Sequence, residues 1–150
     1  MTQRLRYYRI APDGMKAFDA VHSYIGQSGL SKVLVDLVYL RVSQINGCAY
    51  CIDTHSRELL AGGVAIEKLV LVPVWREAEP LFSERERAAL RWAETVTRVA
   101  ETDVPDEDFK DASAHFSEKE LADLTIAIGL MNAYNRIAIS FRATPPAAKR

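Results

Sequence analysis

Residues 31–63 read SKVLVDLVYLRVSQINGCAYCIDTHSRELLAGG, and the first half of this stretch decides the fold. From Ser31 to Ile45, Val33, Leu34, Leu37, Val38, Leu40, Val42 and Ile45 put apolar side chains on nearly every side of a helix. A helix that is apolar all round belongs in a core or at a subunit contact. The β-branched residues leave a strand conceivable, but fifteen residues without a turn signal are long for one and ordinary for a helix. Asn46-Gly47 then breaks the pattern, and a second helix runs from Cys48 to Ala61, stopped by Gly62-Gly63.

The same grammar continues outward on both sides. Phe18, Val21, His22 and Ile25 recur at helical spacing in Met15–Ile25, after Pro12-Asp13-Gly14. Ile66–Val72 is a short helix that Pro73 must end or kink. Ser83-Glu84-Arg85-Glu86 and Ser117-Glu118-Lys119-Glu120 both match the S-x-x-E capping box. Pro105-Asp106-Glu107-Asp108 starts another helix with acids at its positive end. The last helix extends from Leu121 to about Phe141, and residues 143–150 form a frayed tail. The expectation is one all-α domain over residues 1–150, a bundle of about six to seven helices, with no repeat and no hairpin signal.

Composition bounds the function. The chain has 150 residues, 49% apolar and 26% charged, which suits a globular domain with its own core. Nineteen Lys and Arg against twenty Asp and Glu give a net charge of -1, so no charge excess draws it to nucleic acid or to an anionic membrane. The opening MTQRLRYYRI leads into no apolar run of a secretory signal. Leu124–Ile139, the most apolar stretch, is interrupted by Asn132, Asn135 and Arg136, short of about 18 clean residues for a span. A cytoplasmic protein is expected.

The two cysteines, Cys48 and Cys51, stand as C-x-x-C, with His55 four residues after the second. At the start of a helix the unpaired N–H groups and the dipole favour thiolate. Cys51 and His55 share one helix face one turn apart, so the imidazole can exchange a proton with the sulfur. A thiolate that attacks a peroxide becomes a sulfenic acid; a neighbouring thiol condenses with it to a disulfide, which an external dithiol must reduce. Two other readings stay open. C-x-x-C-x-x-x-H supplies three ligands of a Cys₂His zinc site, although His22 and His115 lie in unrelated contexts. The cysteines could equally be inert core residues.

Asp36, within the apolar helix, must be paired, hydrogen-bonded or protonated. Burial would raise its pKa toward the range useful for proton transfer; a purely structural pairing with Arg41, Arg136 or another cation is the competing reading. Asn132, Asn135 and Arg136 read as structural, the mixed charges of Glu84–Arg91 as a solvated face, and Trp75 and Trp92 as core or contact residues.

The run from Leu37 to His55 resembles the core of the alkylhydroperoxidase D-like proteins of the carboxymuconolactone decarboxylase superfamily. Pro73–Ala78, Phe82–Leu90 and Asn132–Arg142 resemble its small single-domain branch. The resemblance implies an all-α fold, homo-oligomers such as trimers or hexamers, and thiol peroxidase activity on hydrogen peroxide or organic hydroperoxides without a cofactor or metal. It implies a peroxidatic Cys51, a resolving Cys48, and a proton relay through His55 and Asp36, with an external dithiol or protein as reductant. The family usually carries glutamate where Asp36 stands, and some members carry histidine where Tyr50 stands. Relatives in the decarboxylase branch, which act on a carboxylated lactone, lack this cysteine pair.

Overall fold

Ser31 starts the central helix by accepting the Leu34 N–H on its side-chain oxygen, and Gly47 ends it in the left-handed region at φ 72°. This is α3, Lys32–Asn46, in a computed structural model that describes residues 2–149. Before it come α1 (Tyr7–Ile10) and α2 (Pro12–Gly26); after it come α4 (Ala49–Ala61), α5 (Ile66–Leu71), α6 (Glu84–Thr97), α7 (Val99–Thr102), α8 (Asp106–His115) and α9 (Glu118–Ser140). The described residues contain no strand. Both capping boxes form, with Ser83 and Glu86 at the start of α6 and Ser117 and Glu120 at the start of α9.

The architecture is the all-α bundle expected, with two additional four-residue helices, α1 and α7, too short to show any hydrophobic period. α2 begins at Pro12 rather than Met15, because proline fits the first helical position, where its missing N–H costs nothing. Pro73 ends α5 as expected, inside a 3₁₀ turn over Val72–Val74. Of the segment expected to fray, Pro146–Lys149 form a 3₁₀ turn, and the Ala147 N–H donates to Asp53 Oδ2 at 2.7 Å. Arg150 lies outside the described residues.

α3 is buried along its length, and its two faces serve two parts of the core. Val35, Val38, Tyr39 and Val42 pack with Ala89 and Ala93 of α6 and with Leu124, Ala127 and Ile128 of α9. Leu37 and Leu40 pack with Leu59 of α4, Val72, Trp75, Phe82 and Leu90. With both faces sheltered, the backbone that leads to Cys48 is held from two sides. No helix among the described residues is long and apolar enough to cross a membrane.

One buried ionic cluster sits beside this core. Glu94 of α6 accepts from Arg41 Nε at 2.7 Å, Arg76 Nη1 at 2.6 Å and Trp75 Nε1 at 3.0 Å. Burial alone would raise its pKa, but these donors outweigh burial and hold it below its ordinary 4.5. Glu94→Gln leaves the nearly buried Arg41 guanidinium without its counter-charge and should cost about 3 kcal/mol of unfolding free energy near neutral pH. Because the folded-state pKa is depressed, that difference is full above the unfolded value and shrinks as pH falls below it. Urea unfolding of wild type and variant at neutral and acidic pH measures both.

Candidate functional site: a buried disulfide beside a histidine and an aspartate

The site begins at the turn between α3 and α4. Gly47 takes a left-handed φ, which a side chain would strain, and the Cys48 N–H donates back to the Ser43 carbonyl at 2.9 Å. A polar knot supports the turn. Asn46 Nδ2 donates to Asn132 Oδ1 at 3.0 Å and to Asn135 Oδ1 at 2.9 Å, and Asn135 Nδ2 donates to Ser43 Oγ at 3.1 Å. The polar residues of the last helix are structural, as their sequence suggests, but the structure they hold is the turn that delivers the cysteines.

Cys48 caps α4, and its sulfur accepts the Cys51 N–H at 3.3 Å. The Cα atoms of Cys48 and Cys51 lie 5.4 Å apart and the two sulfurs are joined in a disulfide. Both cysteines are buried, as are His55 and Asp36. His55, one turn after Cys51, faces Asp36 across the α3–α4 contact, with Nδ1 and Oδ1 3.4 Å apart. That is the long edge of hydrogen-bonding distance, so the carboxylate reaches the imidazole directly despite its short side chain.

The second Asp36 oxygen accepts from Lys32 Nζ at 2.6 Å, and the same ammonium reaches Glu58 Oε2 at 2.8 Å. These partners show which cation meets Asp36, namely Lys32, and correct one expectation, the raised pKa. Arg41 is committed to Glu94, and Arg136 donates to Asn132 within its own helix, so neither neutralises Asp36. Nor is the Asp36 pKa raised: burial pushes it up, but the contacts with His55 and Lys32 together pull it below the ordinary carboxylate value. Asp36 is therefore ionised at neutral pH and acts as a fixed negative charge behind the imidazole. The i−4 lysine was a readable signal, since Lys32 and Asp36 share a helix face.

Tyr39 packs against the histidines from the core. Its ring centroid lies 5.0 Å from that of His55 and 6.0 Å from that of His22, and its buried hydroxyl has no hydrogen-bond partner among the described residues. Burial first, and the Asp36 charge second, raise the Tyr39 phenol well above its usual pKa. Cys51, His55 and His22 line one pocket of about 220 Å³, walled by tyrosines. His22 thus stands beside the site, although its sequence context is unrelated; no local pattern predicts that α2 lays it against Tyr39. On the rim, Tyr134 and Tyr8 donate to Asp19 Oδ1 at 2.8 and 3.3 Å. Burial and the Asp19 carboxylate push the Tyr8 phenol up to about 12. Among the described residues no three His, Cys, Asp or Glu side chains are arranged to hold a metal ion.

Residues 12–95, more than half of the chain, match the carboxymuconolactone decarboxylase family. The uncharacterized protein YdfG of Bacillus subtilis is 36% identical over 140 residues, 93% of this chain and 95% of that protein. A more local likeness links 30% of this chain to 25% of the alkyl hydroperoxide reductase AhpD of Bradyrhizobium diazoefficiens, 49% identical over 45 residues. Among solved structures, a protein of unknown function from Agrobacterium tumefaciens, described as a candidate antioxidant-defence protein AhpD, superposes with a TM-score of 0.93. It is 42% identical, and the match covers 97% of this chain and 99% of that one. With its helical architecture and its C-x-x-C turn, the chain belongs to the carboxymuconolactone decarboxylase family and has the alkylhydroperoxidase D-like fold.

Proposed function

We propose that this protein is a thiol-dependent peroxidase that reduces hydrogen peroxide or organic hydroperoxides through Cys51 and Cys48. The observation that carries the reading is one buried cluster. Cys51 of the disulfide shares a pocket with His55, and His55 is backed by the ionised Asp36. Family membership and the likeness to AhpD proteins support a peroxidase-related, antioxidant role.

The reaction follows from these groups. With the pair reduced, His55 takes the Cys51 proton, and the resulting imidazolium is stabilised by the Asp36 carboxylate. The thiolate attacks the outer peroxide oxygen and the O–O bond breaks; Cys51 becomes a sulfenic acid, and the leaving alkoxide takes the proton from His55 as an alcohol, or as water from hydrogen peroxide. Cys48 then attacks the Cys51 sulfur, forming the disulfide and releasing water. An external dithiol or protein thiol supplies two electrons and two protons to reopen the pair. A reducing compartment such as the cytoplasm suits this cycle, and a homo-oligomer, a trimer or hexamer, is the assembly we propose for it.

Stopped-flow oxidation of the prereduced protein, with free thiols counted before and after, tests the reading. Wild type should lose both thiols rapidly to hydrogen peroxide or an organic hydroperoxide. Cys51→Ser should abolish turnover, and Cys48→Ser should stop at a trappable sulfenic acid. His55→Ala should slow the reaction roughly 100-fold, the scale of a positioned acid–base group. Oxidation of wild type no faster than a free thiol, or full peroxide consumption by Cys51→Ser, would overturn the assignment.

Replacing the carboxylate separates charge from shape. Asp36→Asn keeps the size and removes the charge that stabilises the imidazolium, so peroxide oxidation should slow by about tenfold or more. Asp36→Glu restores the charge and should recover most of the rate. The same stopped-flow assay, run on folded variants verified by circular dichroism, measures both.

A further inference from the structure

The two cysteines of the disulfide line different spaces. Cys51 lines the tyrosine-walled pocket with His55, whereas Cys48 lines a separate groove of about 690 Å³. Tyr50 borders both and divides them. The groove on the Cys48 side lies between the start of α4, the end of α9 and the residues after it, with Arg4 and Arg142 in its walls and no acidic side chain among its lining residues. Its volume is in the range of small-molecule sites, about 300–1,000 Å³.

The charge of this region departs from that of the whole chain. Arg6 and Arg9 line an adjoining hollow that shares Tyr50 and Thr144 with the groove. None of these four arginines forms an ion pair among the described residues, although most other arginines and lysines have a carboxylate partner. Arg4 Nη1 donates only to the Ser140 carbonyl, which leaves its charge uncompensated. Asp53 of α4 is tied to Arg57 and to the Ala147 N–H. Two arginines without an ion pair in the groove that Cys48 lines, and two more in the adjoining hollow, form a local anion-attracting field in a chain of net charge -1.

We infer that this groove admits the reductant, a small thiol bearing a carboxylate, and that its thiolate attacks the sulfur of Cys48. The inference rests on the redox reading of the disulfide given above. Thiolate attack runs in line with the bond that breaks, so a nucleophile that reaches Cys48, the cysteine lining the groove, displaces Cys51. The sulfur released is then Cys51, whose thiolate emerges one helical turn from His55, ready for peroxide. In the first step the incoming thiolate bonds to Cys48 and the Cys48–Cys51 bond breaks, leaving Cys51 as thiolate. In the second step another reductant thiolate attacks the reductant sulfur of that mixed disulfide, releasing Cys48 as thiolate. Two thiols are oxidised to one disulfide and the protein pair is reduced by two electrons.

Reduction of the oxidised protein in the absence of peroxide tests this independently of peroxidase activity. The probes are thioglycolate, 2-mercaptoethanol and cysteamine, compared per thiolate and corrected for thiol basicity. At low ionic strength thioglycolate should react about tenfold faster than 2-mercaptoethanol, with cysteamine slowest, and the order should collapse in roughly 0.5 M salt. Arg142→Ala and Arg4→Ala together should bring the three rates within about twofold at low salt. Acid quenching and mass spectrometry should locate the first adduct on Cys48 with Cys51 free. Equal rates for all three thiols, an unchanged order in the double variant, or an adduct on Cys51 would overturn the inference while leaving the redox reading intact. A disulfide that dithiothreitol also fails to reduce would overturn both.

Discussion

A carboxylate in the middle of an apolar helix is the constraint on which the rest of this site depends. Desolvating Asp36 costs several kcal/mol unless partners replace the lost water. Two partners do so, one for each oxygen: Lys32 from a turn earlier in the same helix, and His55 from the next helix. The second partnership fixes how α4 lies on α3, because only one rotation of α4 brings His55 against the carboxylate. That same rotation turns Cys51, four residues before His55, toward the shared pocket. The packing that satisfies a buried charge therefore also sets the orientation of a redox pair.

The backbone contributes the other half of the arrangement. Gly47 reverses the chain between α3 and α4 within a single left-handed residue, and the amides of Asn46 and Asn135 hold that turn against α9. A half-buried amide network of this kind resists the local opening that would let the cysteines drift apart. Cys48 consequently caps the start of α4 with its sulfur already accepting an N–H. Thiolate character at such a place requires no additional cation.

Much of this could be read in the chain itself. The all-round apolar pattern of residues 31–45 places α3 in the core, the two S-x-x-E motifs mark the starts of α6 and α9, and the spacing from Cys51 to His55 sets their shared face. What escaped reading depended on distance along the chain. Arg41 could be expected to answer Asp36, but Glu94, fifty-three residues on, takes it; no sequence rule chooses between two acids across a core. The direction of the Asp36 pKa required knowing that two donors outweigh burial. His22 and Tyr39 meet through tertiary packing between α2 and α3, and the helices α1 and α7 are single turns with no period to detect. The placing of the two cysteines along two pockets, with Tyr50 bordering both, is likewise a property of the assembled helices.

The central claim is that Asp36 and His55 set the reactivity of Cys51, and the most direct measurement is the pH dependence of Cys51 alkylation in reduced Cys48→Ser protein, with and without His55→Ala. The account predicts a Cys51 thiolate well populated below the free-thiol value near ~8.5, with the His55→Ala titration moved upward by about one unit or more. A Cys51 thiol that titrates near ~8.5 in both proteins would contradict it.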